Sequence, residues 1–348
     1  MSIAVDVHRG LSPTARQESL RLAADNPFDL RSNYRSIGID RAGEAAERCS
    51  DALDDPRATT VAVTEGGVVV AFAVLAHDGR LSSHFELGCW SVRALAVDRS
   101  GERAAPAAAL AVLARAIWDA ARDLGADHLS VRTASDDFAL LAAFQAVGFA
   151  VCDTQASYLL TPRDPASELR RWRQMGEVEV TYAVGEEIAE LPPVVGSTMS
   201  EVMGRHYNLS RFHADPRFDD DRASVWYGDW CRRVFTAERA DGVMVAMREQ
   251  APVGFISWEE DPLAPAHQGL TIFGSGLGAS LGHGAYSAMV DFAEVTPIFD
   301  HAEFDVHINN FPVNRVLARH PAARVLRVSH ALHAWLDRGE ERPPNPPG

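Results

Sequence analysis

The chain has 348 residues, with 33 Lys and Arg against 48 Asp and Glu, and 47% of its residues are hydrophobic. A net charge of −15 excludes binding to a nucleic-acid backbone by bulk electrostatics, which needs a basic face, but leaves room for a pocket that holds one nucleotide by local donors. Apolar content and length fill two cores of ordinary size. No apolar run approaches the ~20 residues of a membrane span and no basic-then-apolar leader opens the chain, so a cytoplasmic protein with no membrane and no nucleic-acid partner is expected.

The predicted elements run through one series twice. In the first half, Thr60 to Val74 reads as a hairpin around Glu65-Gly66-Gly67, and Val92 to Val97 as a strand. A small-residue loop leads to a helix whose Leu110, Leu113, Ala114, Ile117, Ala121 and Leu124 share a face, with Gly125 as its stop. A short strand from His128 to Val131, a polar turn with a helix, and a strand from Ala156 to Leu160 complete the half. Thr161-Pro162-Arg163-Asp164-Pro165 and the charged stretch after it predict a linker with a short helix over 163–177. The second half has a strand from Val178 to Tyr182, a hairpin from Val243 to Ser257, a strand from Gly269 to Gly274, and a helix from about Ala285 with Met289, Phe292 and Ala293 on one face. Strands at Glu303 to Val306 and Ser329 to Leu336 close it. A repeat half a chain long predicts two domains, 1–162 and 178–338. The proline-rich stretch 339–348 has nothing to bury and is predicted to be a disordered tail.

Cys49, Cys89, Cys152 and Cys231 lack paired spacing, so free buried thiols are expected, with no disulfide framework and no metal. The run from Gly274 to Ala285, rich in glycine, suits a loop whose backbone N–H groups approach an anion at a helix N-terminus. No Gly-Lys-Ser/Thr ending makes it a Walker loop, and antiparallel hairpins before it argue against a dinucleotide fold. A loop with no ligand is the plain alternative.

With this element order, with Val92-Arg93-Ala94-Leu95-Ala96-Val97-Asp98 as a fourth strand, and with a helix ending in Gly148-Phe149, the chain resembles the GNAT superfamily of acyl-CoA-dependent N-acyltransferases. Over its whole length it is similar to the tandem dTDP-fucosamine and related dTDP-aminosugar N-acetyltransferases. That likeness rests on Gly148 to Thr154, Ser210-Arg211-Phe212-His213-Ala214-Asp215-Pro216-Arg217-Phe218, Tyr227-Gly228-Asp229-Trp230, Asn310 to Arg315 and His330 to Leu336. The resemblance implies an α/β (α+β) fold of two GNAT-like domains, each a mixed, mostly antiparallel sheet flanked by helices, the first structural and the second catalytic. It implies acetyl-CoA or another acyl-CoA as co-substrate, a small amine such as an aminosugar or a biosynthetic intermediate as acceptor, and a possible homodimer.

Carried onto this chain, the resemblance places Ile272, Phe273 and Gly274 beside the thioester, and Gly282, His283, Gly284, Ala285, Asn310 and Asn314 at the CoA. Arg211, His213, Asp215, Arg217, Tyr227 and Trp230 would line the acceptor, by bidentate guanidinium contacts and ring stacking. Proton transfer needs a base and an acid, for which Glu259, Glu260, His283 and His320 are the candidates. Solvated strand ends, surface histidines and helix caps are the bland readings of the same residues. Three departures stand out: Ala279 where the family's loop has a cation or amide, Leu317 where it has a tyrosine, and His320-Pro321-Ala322 where it has Gly-Phe. In the first domain, alanines and Pro106 replace loop glycines, and no CoA is expected there. The alternative is a degenerate tandem protein that binds a small molecule, or runs different chemistry in the old cleft.

Overall fold

The computed structural model describes residues 3–8, 10–25, 42–100, 106–161, 172–175, 177–260, 272–282, 284–295 and 301–336. The contacts divide the chain into two compact units, Met1–Thr154 with Arg327–Gly348, and Gln155–Leu326. Each described unit is a mixed, mostly antiparallel sheet flanked by helices.

The first unit contains β1 (Ile3–His8), α1 (Pro13–Asp25), α2 (Ala42–Asp54), β2 (Thr59–Glu65), β3 (Val68–His77), α3 (Gly79–Phe85), β4 (Cys89–Val97), α4 (Pro106–Asp123), β5 (His128–Ala134), α5 (Phe138–Ala146) and the start of β6 (Ala150–Leu160). Its strand order is β1-β2-β3-β4-β5, followed by a strand from the end of the chain, β13 (Ala323–Trp335). Gly66 and Gly67 make the tight hairpin turn at positive φ, which the right-handed strand twist favours. Strand β3 is buried on both faces. Val70, Ala71, Ala73 and Leu75 join the α4–α5 core, while Val69, Phe72 and Val74 join the α1–α2 core. Fully burying Phe72 contributes roughly 2–3 kcal/mol.

The second unit contains the rest of β6, β7 (Trp172–Met175), β8 (Val178–Val184), α6 (Pro193–His206), α7 (Arg211–Ala214), α8 (Asp220–Val234), β9 (Gly242–Arg248), β10 (Ala251–Glu260), β11 (Ile272–Ser280), α9 (Ala285–Val295), β12 (His301–His307) and α10 (Phe311–Arg319). Its strand order is β6-β12-β11-β10-β9-β8-β7. Helices α6 and α8 close one face over Val243, Val245 and Phe255. They cross at glycines: a Cβ on Gly228 would lie 3.4 Å from the Gly204 Cα.

The boundary between units is not where chain order puts it. A linker over 163–177 gives each half its own last strand, but the ladders assign those strands the other way. Gln155–Leu160 of β6 pairs antiparallel with β12, from Gln155↔His307 to Leu160↔Ala302, within the second unit. Ser329–Trp335 of β13 pairs antiparallel with β5, from Ser329↔Ala134 to Trp335↔His128, within the first. Side chains lock both exchanges. Arg132 binds the buried Asp153 at 3.5 Å and Ser329 at 3.1 Å, and Thr154 meets His330 at 3.0 Å. In the second unit, Thr161 meets His301 at 3.1 Å and Ser157 donates to Asp305. Part of the linker is also a strand, because Trp172–Met175 forms a hairpin with β8 rather than a helix. The rest of that stretch and the tail 339–348 lie outside the described residues.

Duplication is written into the bulges. One extra residue interrupts β3 near Val70 and β10 near Val253, and another interrupts β4 near Arg93 and β11 near Gly276 and Leu277. A bulge bends a strand and increases its twist, so its recurrence at matching places gives both units the same curvature.

Two outcomes follow. Residues 1–162 and 178–338 expressed separately each lack a strand that their sheet requires, leaving β5 or β12 with an open edge. Each should be insoluble alone, with solubility recovered on co-expression, as read by gel filtration. Gly242→Ala places a Cβ 2.0 Å from the Trp258 ring, so urea unfolding should show a loss of about 3 kcal/mol.

Candidate functional site

In the second unit, β11 and β12 pair in parallel only at Ile272↔His301 and Phe273↔Ala302. Beyond that point β11 stays on β10, as far as Ser280↔Gly254, and β12 stays on β6, as far as His307↔Gln155. The sheet therefore opens between two strands that are each held from the outside. Alternate N–H and C=O groups of residues 274–280 that point away from β10 face this gap, and the bulge near Gly276 and Leu277 lies along it.

The gap leads to a turn. Gly282 and Gly284 have φ of 89° and 72°, a region that β-carbon-bearing residues avoid. Ser280 Oγ accepts the Gly282 N–H at 3.2 Å, and Ala285 N–H donates back to the Gly282 carbonyl at 3.0 Å. Helix α9 starts there, and the first turn of any α-helix carries N–H groups without an intrahelical acceptor. The loop before α9 is thus shorter than the glycine run suggests. Residues Gly274 to Ala279 belong to strand β11, because β10 offers them a ladder, and Leu281, Gly282 and Gly284 are the described residues between β11 and α9. Ile272 and Phe273 sit in the paired, closed part of the sheet with Gly274 just past it, so the open backbone is Ser275 to Ser280. Ala285 is buried and its N–H is already used. His283 lies outside the described residues.

At the open end of β12, Asn314 Nδ2 donates to the carbonyls of His307 (2.9 Å), Ile308 (3.2 Å) and Asn310 (2.9 Å). Its Oδ1 accepts the Tyr158 hydroxyl at 3.0 Å. Asn310 caps α10, and its carbonyl receives Asn314. Leu317, in the tyrosine's place, is fully buried core. Two phenols gather here instead. Burial raises the Tyr158 hydroxyl above its ordinary pKa, and burial together with the nearby Tyr158 raises that of Tyr286, in the first turn of α9. Neither stands out in the sequence, since Tyr158 lies in the first half and Tyr286 is one residue of a helix start.

The other candidates scatter. Glu259 and Glu260 are exposed at the end of β10, opposite Gly274 and Phe273, at the closed end of the gap; seven residues of strand put them roughly 20 Å from the glycine turn. His320 is buried beyond the C-terminus of α10. Its Nε2 lies 3.2 Å from both Asp291 and Glu294, near the far end of α9, and its Nδ1 accepts the Ala322 N–H. Ten residues of helix, about 15 Å, separate that corner from the glycine turn. It ties α10 to α9 and does not reach the gap.

Arg211, His213 and Tyr227 do come together. Ser210 caps α7 and contacts His213 Nδ1 at 2.8 Å, while Ser224 contacts Nε2 at 3.3 Å. The imidazole stacks on Tyr227, with ring centres 6.0 Å apart, and Arg211 lies over Phe212 at 4.8 Å. Desolvation lowers the His213 pKa against an opposing pull from Asp220. With both ring nitrogens occupied, His213 is a brace of this aromatic cluster. Asp215 is buried and accepts the Arg217 N–H at 3.1 Å in a tight turn; Arg217 is exposed, and Trp230 packs on the α6–α8 core.

A cavity of about 630 Å³ lies elsewhere, in the first unit, between β1 and the later turns of α4. Val5, Val7, Ala116, Ala120 and Leu124 line it, and Arg115 pairs with Asp119 at 3.2 Å. It touches neither the free edge of β4 nor the start of α4. In the second unit, Tyr182 and Phe292 meet between β8 and α9, with ring centres 6.2 Å apart.

Cys49, Cys89 and Cys231 are buried and Cys152 is half-buried, and none of the four is in a disulfide. Burial pushes the Cys231 thiol up to about 12. A folded-state pKa raised from 9 means that stability is fully present below pH 9 and is lost as pH climbs toward 12. The sequence contains no lysine, so tyrosines and cysteines dominate that window. Unfolding free energy should fall there by up to about 1.4 kcal/mol per pH unit more in wild type than in Cys231→Ala, measured by urea titration at stepped pH.

No helix among the described residues is long and apolar enough to cross a membrane. No protein-family model matches the sequence, and no curated protein matches it. Solved structures do. A tandem GNAT protein from the clavulanic acid biosynthesis pathway is 14% identical, with 97% of this chain and 100% of that one covered at a TM-score of 0.55. A GCN5-related N-acetyltransferase from Sphaerobacter thermophilus is 13% identical, with 97% of each chain covered at a TM-score of 0.54. The fold of this chain is the tandem GNAT fold.

Proposed function

We propose that the second unit binds an acyl-CoA, with acetyl-CoA the first candidate, and passes its acyl group directly to a small amine. The observation that carries this reading is the gap between β11 and β12, running from a backbone bulge to a glycine turn at a helix start. Such a gap admits a long, narrow chain and meets its reactive end with unpaired backbone donors. N–H groups at the first turn of α9 would take the pyrophosphate, and a β11 N–H near the bulge would polarise the thioester carbonyl. Holding both reactants in line supplies most of the acceleration that such a site can give. The aromatic cluster of α7 and α8 is the surface on which a sugar-like or ring-bearing amine would rest. The resemblance to aminosugar acetyltransferases and the biosynthetic setting of one fold neighbour support an aminosugar or pathway intermediate as acceptor.

Binding without transfer is the second reading. Leu317 in the core, where the family has a tyrosine, favours it.

Thermal unfolding with acetyl-CoA separates a CoA site from none. A ligand at a hundred times its dissociation constant stabilises by about 2.7 kcal/mol, a shift of several degrees. Gly284→Trp, which puts a side chain at a positive φ in the turn, should remove the shift; Ala107→Trp in the first unit should leave it. No shift in wild type at millimolar acetyl-CoA would refute the reading.

A further inference from the structure

We propose that Tyr158 is the proton donor to the departing thiolate sulfur, so that a strand from the first half of the chain completes the site of the second unit. The inference rests on the acyl-CoA reading and adds a residue to it. Tyr158 lies on β6 opposite Phe304 of β12, the strand that borders the gap. Its hydroxyl is held at 3.0 Å by Asn314 Oδ1. Three backbone carbonyls fix the Asn314 amide nitrogen, and these bonds set which way the amide faces, presenting its oxygen to the phenol. Those carbonyls belong to the end of β12 and the start of α10, where the gap is widest. Tyr286, in the first turn of α9, lies near enough that Tyr158 adds to burial in raising its pKa. Tyr158 is only 5% exposed, yet it keeps a defined partner for its hydroxyl.

Both phenols stay protonated at neutral pH, since burial opposes the phenolate in each. A neutral phenol parked on an amide oxygen is a donor with a free torsion: its hydrogen can turn from Asn314 to another acceptor without moving the ring. The step balances as follows. The C–N bond forms from the amine's lone pair and the C–S bond breaks with its electron pair leaving on sulfur. The Tyr158 O–H proton goes to that sulfur, the surplus proton on the new amide nitrogen goes to water, and Tyr158 recovers its proton from water. Asn314 is a positioning residue.

The test needs no acceptor. CoA and desulfo-CoA, which lacks the sulfur, are titrated calorimetrically into the full chain from pH 7 to 9. Wild type should bind CoA about fivefold more tightly than desulfo-CoA, the worth of about one hydrogen bond, with the preference growing as the thiol ionises. Tyr158→Phe should bind both ligands equally, at the wild-type desulfo-CoA affinity, while Tyr286→Phe keeps the preference. That unchanged desulfo-CoA affinity shows that the Tyr158→Phe chain is folded. A preference that survives Tyr158→Phe, or is lost in Tyr286→Phe instead, overturns the assignment and leaves the acyl-CoA reading standing. Equal binding by wild type does the same. Failure of wild type to bind either ligand overturns both.

Discussion

The structure turns on where a parallel ladder stops. Strands β11 and β12 share a register for Ile272 and Phe273 and then part, although both continue for several residues. Two strands side by side normally keep pairing, because each unmade backbone bond in a buried place is costly. These part because each is committed on its other side: β11 to β10 and β12 to β6. The extra residue in β11 bends that strand, and the ladder with β6 holds β12 in place. The gap is therefore a product of four strands, and its backbone groups are held in place by the ladders on either side of it rather than by a loop.

The first unit repeats the device. Strands β4 and β5 share a parallel register only from Cys89↔His128 to Ser91↔Ser130, while β4 stays on β3 up to Val97↔Ala71 and β5 stays on β13. What differs is the chemistry at the edges. Arg93 stands at the β4 bulge and reaches toward Asp55 at 3.8 Å, where the β11 bulge has Gly276 and Leu277. Helix α4 opens on Pro106, which has no N–H to offer, whereas α9 opens after two glycines at positive φ. The same fold thus carries a helix start preceded by glycines in one copy and one whose first residue has no N–H in the other. The change is made by a few small side chains rather than by topology.

Much of this was legible in the sequence, because hydrophobic period and turn chemistry are local signals. The hairpins, the α4 face and the start of α9 at Ala285 are set by residues next to them in the chain. Three features were not local. Gly274 to Ala279 reads as loop because glycine is a poor strand former, but a neighbouring strand with open donors overrides that weak preference. The exchange of β6 and β13 is invisible because alternating apolar residues identify a strand, not its partner. Tyr158 follows from the exchange: assigned by chain order to the first half, it contacts Asn314 in the second unit. His213 and His320 show the opposite error. Their residue type suggests proton transfer, while their surroundings place them elsewhere: Ser210 and Ser224 contact the two ring nitrogens of His213, and Asp291 and Glu294 lie 3.2 Å from His320 Nε2 at the far end of α9.

Through the exchange, each half of the chain supplies a strand to the other half's sheet. A domain that served only as a spacer could lose its sheet without consequence to the other unit's site. Here the first half supplies Gln155 to Leu160, the strand that keeps β12 apart from β11 and carries the phenol at Asn314. The last strand of the second half in turn closes the sheet of the first, with Leu332 and Ala334 buried in its core. Without Gln155 to Leu160, β12 would have an open edge. The gap between β11 and β12 therefore depends on residues from both halves of the chain.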